Sequence, residues 1–124
     1  MPADNPEQVH ALLSAAFNRG DVDAFLEIYE PEAVLLVPPT GHEARGEAAI
    51  RAAIEPVFAT RPAFESRVVT RLEGDDLALT QARWRSVATV DGESREESGR
   101  GTVVSRRQPG GDWRIALDIP LSPS

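Results

Sequence analysis

Apolar residues recur at helical spacing through the first half of this chain and at every second position through much of the rest. Val9, Leu12, Leu13, Ala16 and Phe17 fall on one face of a helix over residues 7–19, with Pro6 near its start. Gly20 then fits the left-handed position that follows a helix end. Asp21 is placed to cap a second, short helix carrying Ala24, Phe25, Ile28 and Tyr29, which Pro31 is expected to close. The run Ala33-Val34-Leu35-Leu36-Val37 is too short and too continuously apolar for a surface helix. It predicts a strand shielded on both faces and stopped by Pro38 and Pro39.

A third helix is predicted over residues 46–60, with Ala49, Ile50, Ala53, Ile54, Val57 and Phe58 as its apolar stripe. Pro56 is expected to kink it or end it early. Beyond Pro62 the period changes to two. Residues 64–73, 77–90, 94–108 and 113–119 read as strands separated by Gly74-Asp75-Asp76, Asp91-Gly92-Glu93 and Pro109-Gly110-Gly111-Asp112, each a turn signal. Helices followed by long hairpins predict an α+β fold, in which a curved, mainly antiparallel sheet wraps around three N-terminal helices. With 124 residues and no linker or repeat, residues 1–124 read as a single domain with a frayed Ser122-Pro123-Ser124 tail.

Composition narrows the chemistry by subtraction. The absence of cysteine removes disulfides, thiolate nucleophiles and zinc-thiolate sites. The absence of lysine removes Schiff-base chemistry. A formal charge of −7 argues against nucleic acid as a partner. No apolar run is long enough to span a membrane, and the first residues carry no basic, apolar leader pattern, so the expectation is a cytoplasmic protein without membrane contact. The residues suggest no cofactor or metal. His42 and Glu43 alone are too few ligands to propose one.

Four segments carry a resemblance: Asn18-Arg19-Gly20-Asp21-Val22-Asp23-Ala24-Phe25, Tyr29-Glu30-Pro31-Glu32-Ala33-Val34-Leu35, Gly46-Glu47-Ala48-Ala49-Ile50-Arg51, and Arg106 through Ile115 with its Gly110-Gly111-Asp112-Trp113 turn. In this order and spacing the chain resembles the nuclear transport factor 2-like superfamily, which also includes ketosteroid isomerase, limonene-epoxide hydrolase and the SnoaL-type polyketide cyclases. It is most similar to small bacterial SnoaL-like members. The resemblance implies a cone-shaped fold, a pocket between sheet and helices for an apolar small molecule, and a homodimer. It does not carry over the ketosteroid isomerase machinery. Val37 stands before Pro38 where that enzyme has its aspartate base, Gly101-Thr102-Val103-Val104 holds no acid, and the first helix has Phe17 where a tyrosine would be needed. The match to the epoxide hydrolase is partial: Asp118 with Arg83 or Arg85, lacking a second aspartate.

Asp118 is the leading candidate for chemistry. If Trp113, Ile115, Leu117 and Ile119 share one strand face, then Arg114, Ala116 and Asp118 share the other, which the resemblance turns toward the cone. A carboxylate on an apolar wall has a raised pKa and suits general acid or base catalysis, the alternatives being an ion pair with an arginine or a strand whose opposite face is the inner one. His42, in a loop expected at the cone mouth, is a second catalytic candidate, whereas His10 is expected on the solvent side of the first helix. The residues expected to bind ligand are Phe17, Tyr29, Val37, Ile54, Phe58, Trp84 and Ala116. The expected function is to bind an apolar small molecule, or to isomerise or hydrolyse it, by general acid/base chemistry. The alternative is a non-catalytic binding or dimeric interaction module.

Overall fold

In the computed structural model, which describes residues 3–37 and 41–121, the element order is α1 (Gln8–Arg19), α2 (Val22–Glu27), β1 (Tyr29–Val37), β2 (His42–Arg45), α3 (Gly46–Ala59), β3 (Ala63–Glu73), β4 (Leu77–Val90), β5 (Glu93–Arg107) and β6 (Trp113–Ile119). The expected break at Pro38-Pro39-Thr40 and the expected fraying of Ser122-Pro123-Ser124 lie outside the described residues. The six strands form one open, mixed sheet in the order β2-β1-β6-β5-β4-β3, antiparallel throughout except where β1 runs parallel to β6. Three helices pack on its concave face, giving the α+β cone that the hydrophobic pattern predicts. Among the described residues no helix is long and apolar enough to cross a membrane.

Local chemistry accounts for the helical layer. Gly20 takes φ +68° beyond α1, where a side chain would be strained, and its amide reaches back to the Phe17 carbonyl at 3.1 Å. Asp21 then caps α2 by accepting from the Ala24 amide at 3.0 Å. Asn18 acts as a two-pronged clamp on the edge strand β3. Its Nδ2 donates to the Phe64 carbonyl at 2.8 Å and its Oδ1 accepts from the Phe64 amide at 2.7 Å, imitating a neighbouring strand. The core runs from Val9, Leu13 and Ala16 of α1 through Phe25, Leu26, Ile50, Ile54 and Phe58 to Leu35, Val103 and Ile115 of the sheet.

Three local expectations are corrected. Tyr29 does not belong to α2: that helix ends at Glu27, Tyr29 opens β1, and Pro31 sits inside the strand. Proline is tolerated there because the β1–β6 pairing shifts register between Tyr29↔Ile115 and Val34↔Leu117, so its missing N–H falls at an irregularity in the ladder. Pro56 does not end α3, which continues to Ala59. It is exposed, and so is Ala52, one turn earlier, whose carbonyl loses its helical donor at a solvated face. His42 does not lie in a loop: it opens β2, paired with Val37.

The faces of β6 are also rearranged. Ser105 pairs with Ile115 and Val104 with Leu117, so Ala116 is an extra residue, a β-bulge that breaks the strict alternation. Trp113 and Ile115 therefore join the core on the same side as Asp118, while Leu117 and Ile119 are turned out and exposed.

Candidate functional site

Between the helices and the concave face of the sheet lies a cavity of about 240 Å³. Its walls are largely aromatic. The ring of Phe17 stacks on Phe64 at 4.7 Å between centroids, Phe64 stacks on Trp84 at 5.7 Å, and Phe25 meets Phe17 edge-on at 5.1 Å. Aliphatic lining comes from Leu13, Leu35, Ile54 and Val103. Helices as short as these cannot fill the hollow of strands of 11 to 15 residues, and space remains.

Asp118 opens into this apolar space and is 6% exposed. Its Oδ2 accepts a hydrogen bond from the Tyr29 hydroxyl, and its Oδ1 takes none from the described residues. Two structural accidents bring the pair together. The Ala116 bulge turns Asp118 inward, and the early end of α2 puts Tyr29 at the start of β1, the strand lying beside β6. Burial pushes the Asp118 carboxyl up to about 6, partly offset by the Tyr29 donor. Burial and the adjacent carboxylate push Tyr29 well above its ordinary value, so it remains a protonated donor.

The second polar group on the wall is one the sequence pattern misplaces. His10, expected in solvent, is 6% exposed and lines the cavity, with Nε2 at 2.6 Å from Thr80 Oγ1. Burial lowers its pKa to about 4 against the opposing pull of Glu7, so the imidazole is neutral near pH 7. Helical periodicity on α1 cannot reveal this. The partner lies 70 residues away on β4, and only the wrapping of the sheet encloses this side of the helix.

The remaining candidates divide. Phe17, Tyr29, Val37, Ile54 and Trp84 line the cavity together with Asp118. Phe58 is instead core, stacked on Phe17 at 4.8 Å, and Ala116 is buried in the bulge away from the cavity. His42 is exposed on β2 and outside the lining. Arg83 and Arg85 fall on the opposite face of β4 from Trp84. Arg85 pairs with Glu96 at 2.6 Å, so the expected partnership of Asp118 with either arginine is replaced by the tyrosine. Phe25, Phe64 and Glu97 join the lining without having stood out in the sequence. Among the described residues no three His, Asp or Glu side chains converge as a metal site.

The C-terminal segment forms part of the wall. Trp84 Nε1 donates to the Pro120 carbonyl at 2.6 Å, and Pro120 itself lines the cavity. This crossing passes close over two glycines of β5. A Cβ at Gly99 would run into the end of the Leu121 side chain and meet Trp84 Cζ2 at 3.2 Å, and one at Gly101 would meet the Pro120 carbonyl oxygen at 3.2 Å.

With this geometry in place, comparison with known proteins assigns the family. Residues 9–115 match the model of the SnoaL-like domain. The chain belongs to the SnoaL-like family. No curated protein matches it in sequence. Among solved structures, a ketosteroid isomerase-like protein from Erwinia carotovora atroseptica is 21% identical with a TM-score of 0.80, covering 94% of each chain. A conserved protein from Planctomyces limnophilus is 20% identical with a TM-score of 0.82, over 92% of this chain and 90% of that one. A putative calcium/calmodulin-dependent protein kinase type II association domain from Thiobacillus denitrificans is 21% identical with a TM-score of 0.75 over 98% of both. At these identities the likeness establishes the fold of this SnoaL-like domain and leaves its chemistry to be argued from its own residues.

Proposed function

We propose that this SnoaL-like domain binds a small apolar molecule in its cone and that Asp118, steadied by the Tyr29 hydroxyl, exchanges a proton with it. The observation that carries the reading is a buried carboxyl with a raised pKa facing an apolar, unfilled space. An apolar cavity of ~150 Å³ holds a benzene, so the 240 Å³ here suits one or two rings. Above a pKa of about 6 the carboxylate is a base able to take a proton from an acidic carbon beside a carbonyl, or from a water attacking an epoxide. Tyr29 acts by position: its O–H is committed to Oδ2, which fixes the carboxylate plane and leaves Oδ1 for the substrate.

The test is a thermal-shift screen of small cyclic ketones and epoxides against the wild type and Asp118→Asn, followed by turnover assays of the compounds that bind. Support would be binding by both proteins, turnover by the wild type alone, and kcat/KM rising with pH through about 6. Failure of every ring-sized compound to stabilise the wild type would sink the binding reading. Equal turnover by the two proteins would remove the carboxylate from it.

A specific observation also favours a homodimer. On the convex face Val34, Leu117, Val104, Leu79 and Leu72 stand in register across five strands, an apolar ladder in which Leu117 is 49% and Leu72 71% exposed. A second copy of the same ladder, crossing a two-fold axis, covers it without any other partner. Sedimentation of the wild type as a dimer and of Leu117→Arg as a folded monomer would support this, and a monomeric wild type at micromolar concentration would refute it.

A further inference from the structure

The charge on the cone wall is one-sided. Among the described residues two carboxylates line it, Asp118 in the interior and Glu97 on β5, and no arginine does. The chain has no lysine to reach in from elsewhere. Arg95 shares the strand face of Glu97 but is exposed and outside the lining, and Arg83 and Arg85, which flank the inward Trp84, point by strand alternation to the outer face. There Arg85 is held by Glu96 at 2.6 Å and lies 3.7 Å from Glu65. Among the described residues the basic group on the wall is His10, which is engaged with Thr80 and buried. Around this negative site stand the rings of Phe17, Phe25, Tyr29, Phe64 and Trp84, whose faces attract cations.

We infer that the molecule this cone selects is a small organic cation, an ammonium group carried on one or two rings, with the ammonium donating to Oδ1 of Asp118 and the rings packed among the aromatic walls. The inference rests on the reading that the cone is a ligand site, and it does not depend on turnover. The physical reason is the cost of a buried carboxylate. Among the described residues Asp118 has one hydrogen-bond donor, a neutral tyrosine, so a cation brought to its other oxygen removes an unfavourable burial, whereas a carboxylate or phosphate would add a second uncompensated anion. A neutral ligand of the same shape gains the apolar contacts and leaves the charge as it was.

The test uses one skeleton with three charges: 2-naphthylmethylamine, 2-naphthylmethanol and 2-naphthoate, titrated calorimetrically into the full chain at about pH 7.5. The expected order is amine, alcohol, carboxylate, with steps of about tenfold in Kd. Asp118→Asn is expected to lose the preference for the amine over the alcohol. In the wild type that preference shrinks as pH falls through about 6, where Asp118 takes up a proton. The other titratable groups on the wall are Tyr29, which stays protonated, His10, which stays neutral above about 4, and Glu97. Binding of the alcohol without preference for the amine overturns the cation inference and leaves the ligand site standing. An amine preference that survives in Asp118→Asn overturns the role given to that carboxylate, and tightest binding by the naphthoate overturns the charge argument. If none of the three binds, the ligand-site reading falls and the inference falls with it.

Discussion

Asp118 is a residue whose presence costs the folded state something. Its carboxyl is held at about 6, above its ordinary 3.8, so near neutral pH the fold carries a charge that it would be more stable without. Asp118→Asn keeps the shape and an oxygen to accept from Tyr29 while removing the charge. At about pH 7.5 this variant is expected to be more stable by about 1–3 kcal/mol, raising Tm by roughly 3–10 °C. A thermal melt checks it, and a lowered Tm would mean that the carboxylate is better solvated than its burial implies. Tyr29 acts in the opposite sense, since its O–H stabilises the charged form of its neighbour. Tyr29→Phe is therefore expected to move the Asp118 pKa further up, readable as the midpoint of the carboxyl carbon shift in an NMR titration. A downward movement would show that the hydroxyl is not donating to it.

At the scale of elements, the parts of this fold that were legible in the sequence are those whose signals are local. Gly20 and Asp21 punctuate the first two helices, and three glycine-containing turns separate four long strands, so those boundaries fall within a residue or two of where they are predicted. What was not legible depends on partners distant in the chain. The segment His42-Glu43-Ala44-Arg45 has one apolar residue and becomes a strand only because β1 offers it an edge. The bulge at Ala116 exists only as a mismatch with β5, yet it decides that Ile115 and Asp118 face the same side. The site inherits this division: Phe17 could be named from helix periodicity and Trp84 from its place in mid-strand, whereas the inward turn of Asp118, which needs the bulge, the donor role of Tyr29 and the burial of His10 could not be read from local pattern. The C-terminal wall is a similar case, since glycine at positions 99 and 101 reads as nothing until Pro120 and Leu121 are seen to cross there. The double variant Gly99→Ala, Gly101→Ala, made in a Trp113→Phe background, is expected to push that segment off and free the Trp84 indole from the Pro120 carbonyl. The readout is a red shift of the remaining tryptophan emission. Unchanged emission would show that the crossing tolerates side chains.

For the molecule as a whole, two enclosed titratable groups pull its pH dependence in opposite directions. His10 has a pKa of about 4 in the fold against 6.5 when free, so the unfolded chain binds more protons between those values and stability falls as pH drops through this window. Asp118 has the reverse arrangement, about 6 in the fold against 3.8, so between those values the folded chain binds more protons and stability rises as pH drops. The windows overlap between about pH 4 and 6, and each shift corresponds to at most about 3 kcal/mol. The two slopes therefore largely cancel in the wild type. Removing either group should expose the other. In urea unfolding from pH 7 to 4, Asp118→Asn is expected to begin more stable than the wild type and to lose that advantage as acid is added. His10→Gln, able to keep a hydrogen bond to Thr80, should gain on the wild type over the same range. The surface ion pairs are common to all three proteins, so the differences between curves isolate the two enclosed groups. Variant-minus-wild-type differences that move in the same direction on acidification would mean that one of them is not enclosed by the cone, and the neutral imidazole and costly carboxylate assigned to this cavity would have to be reconsidered together.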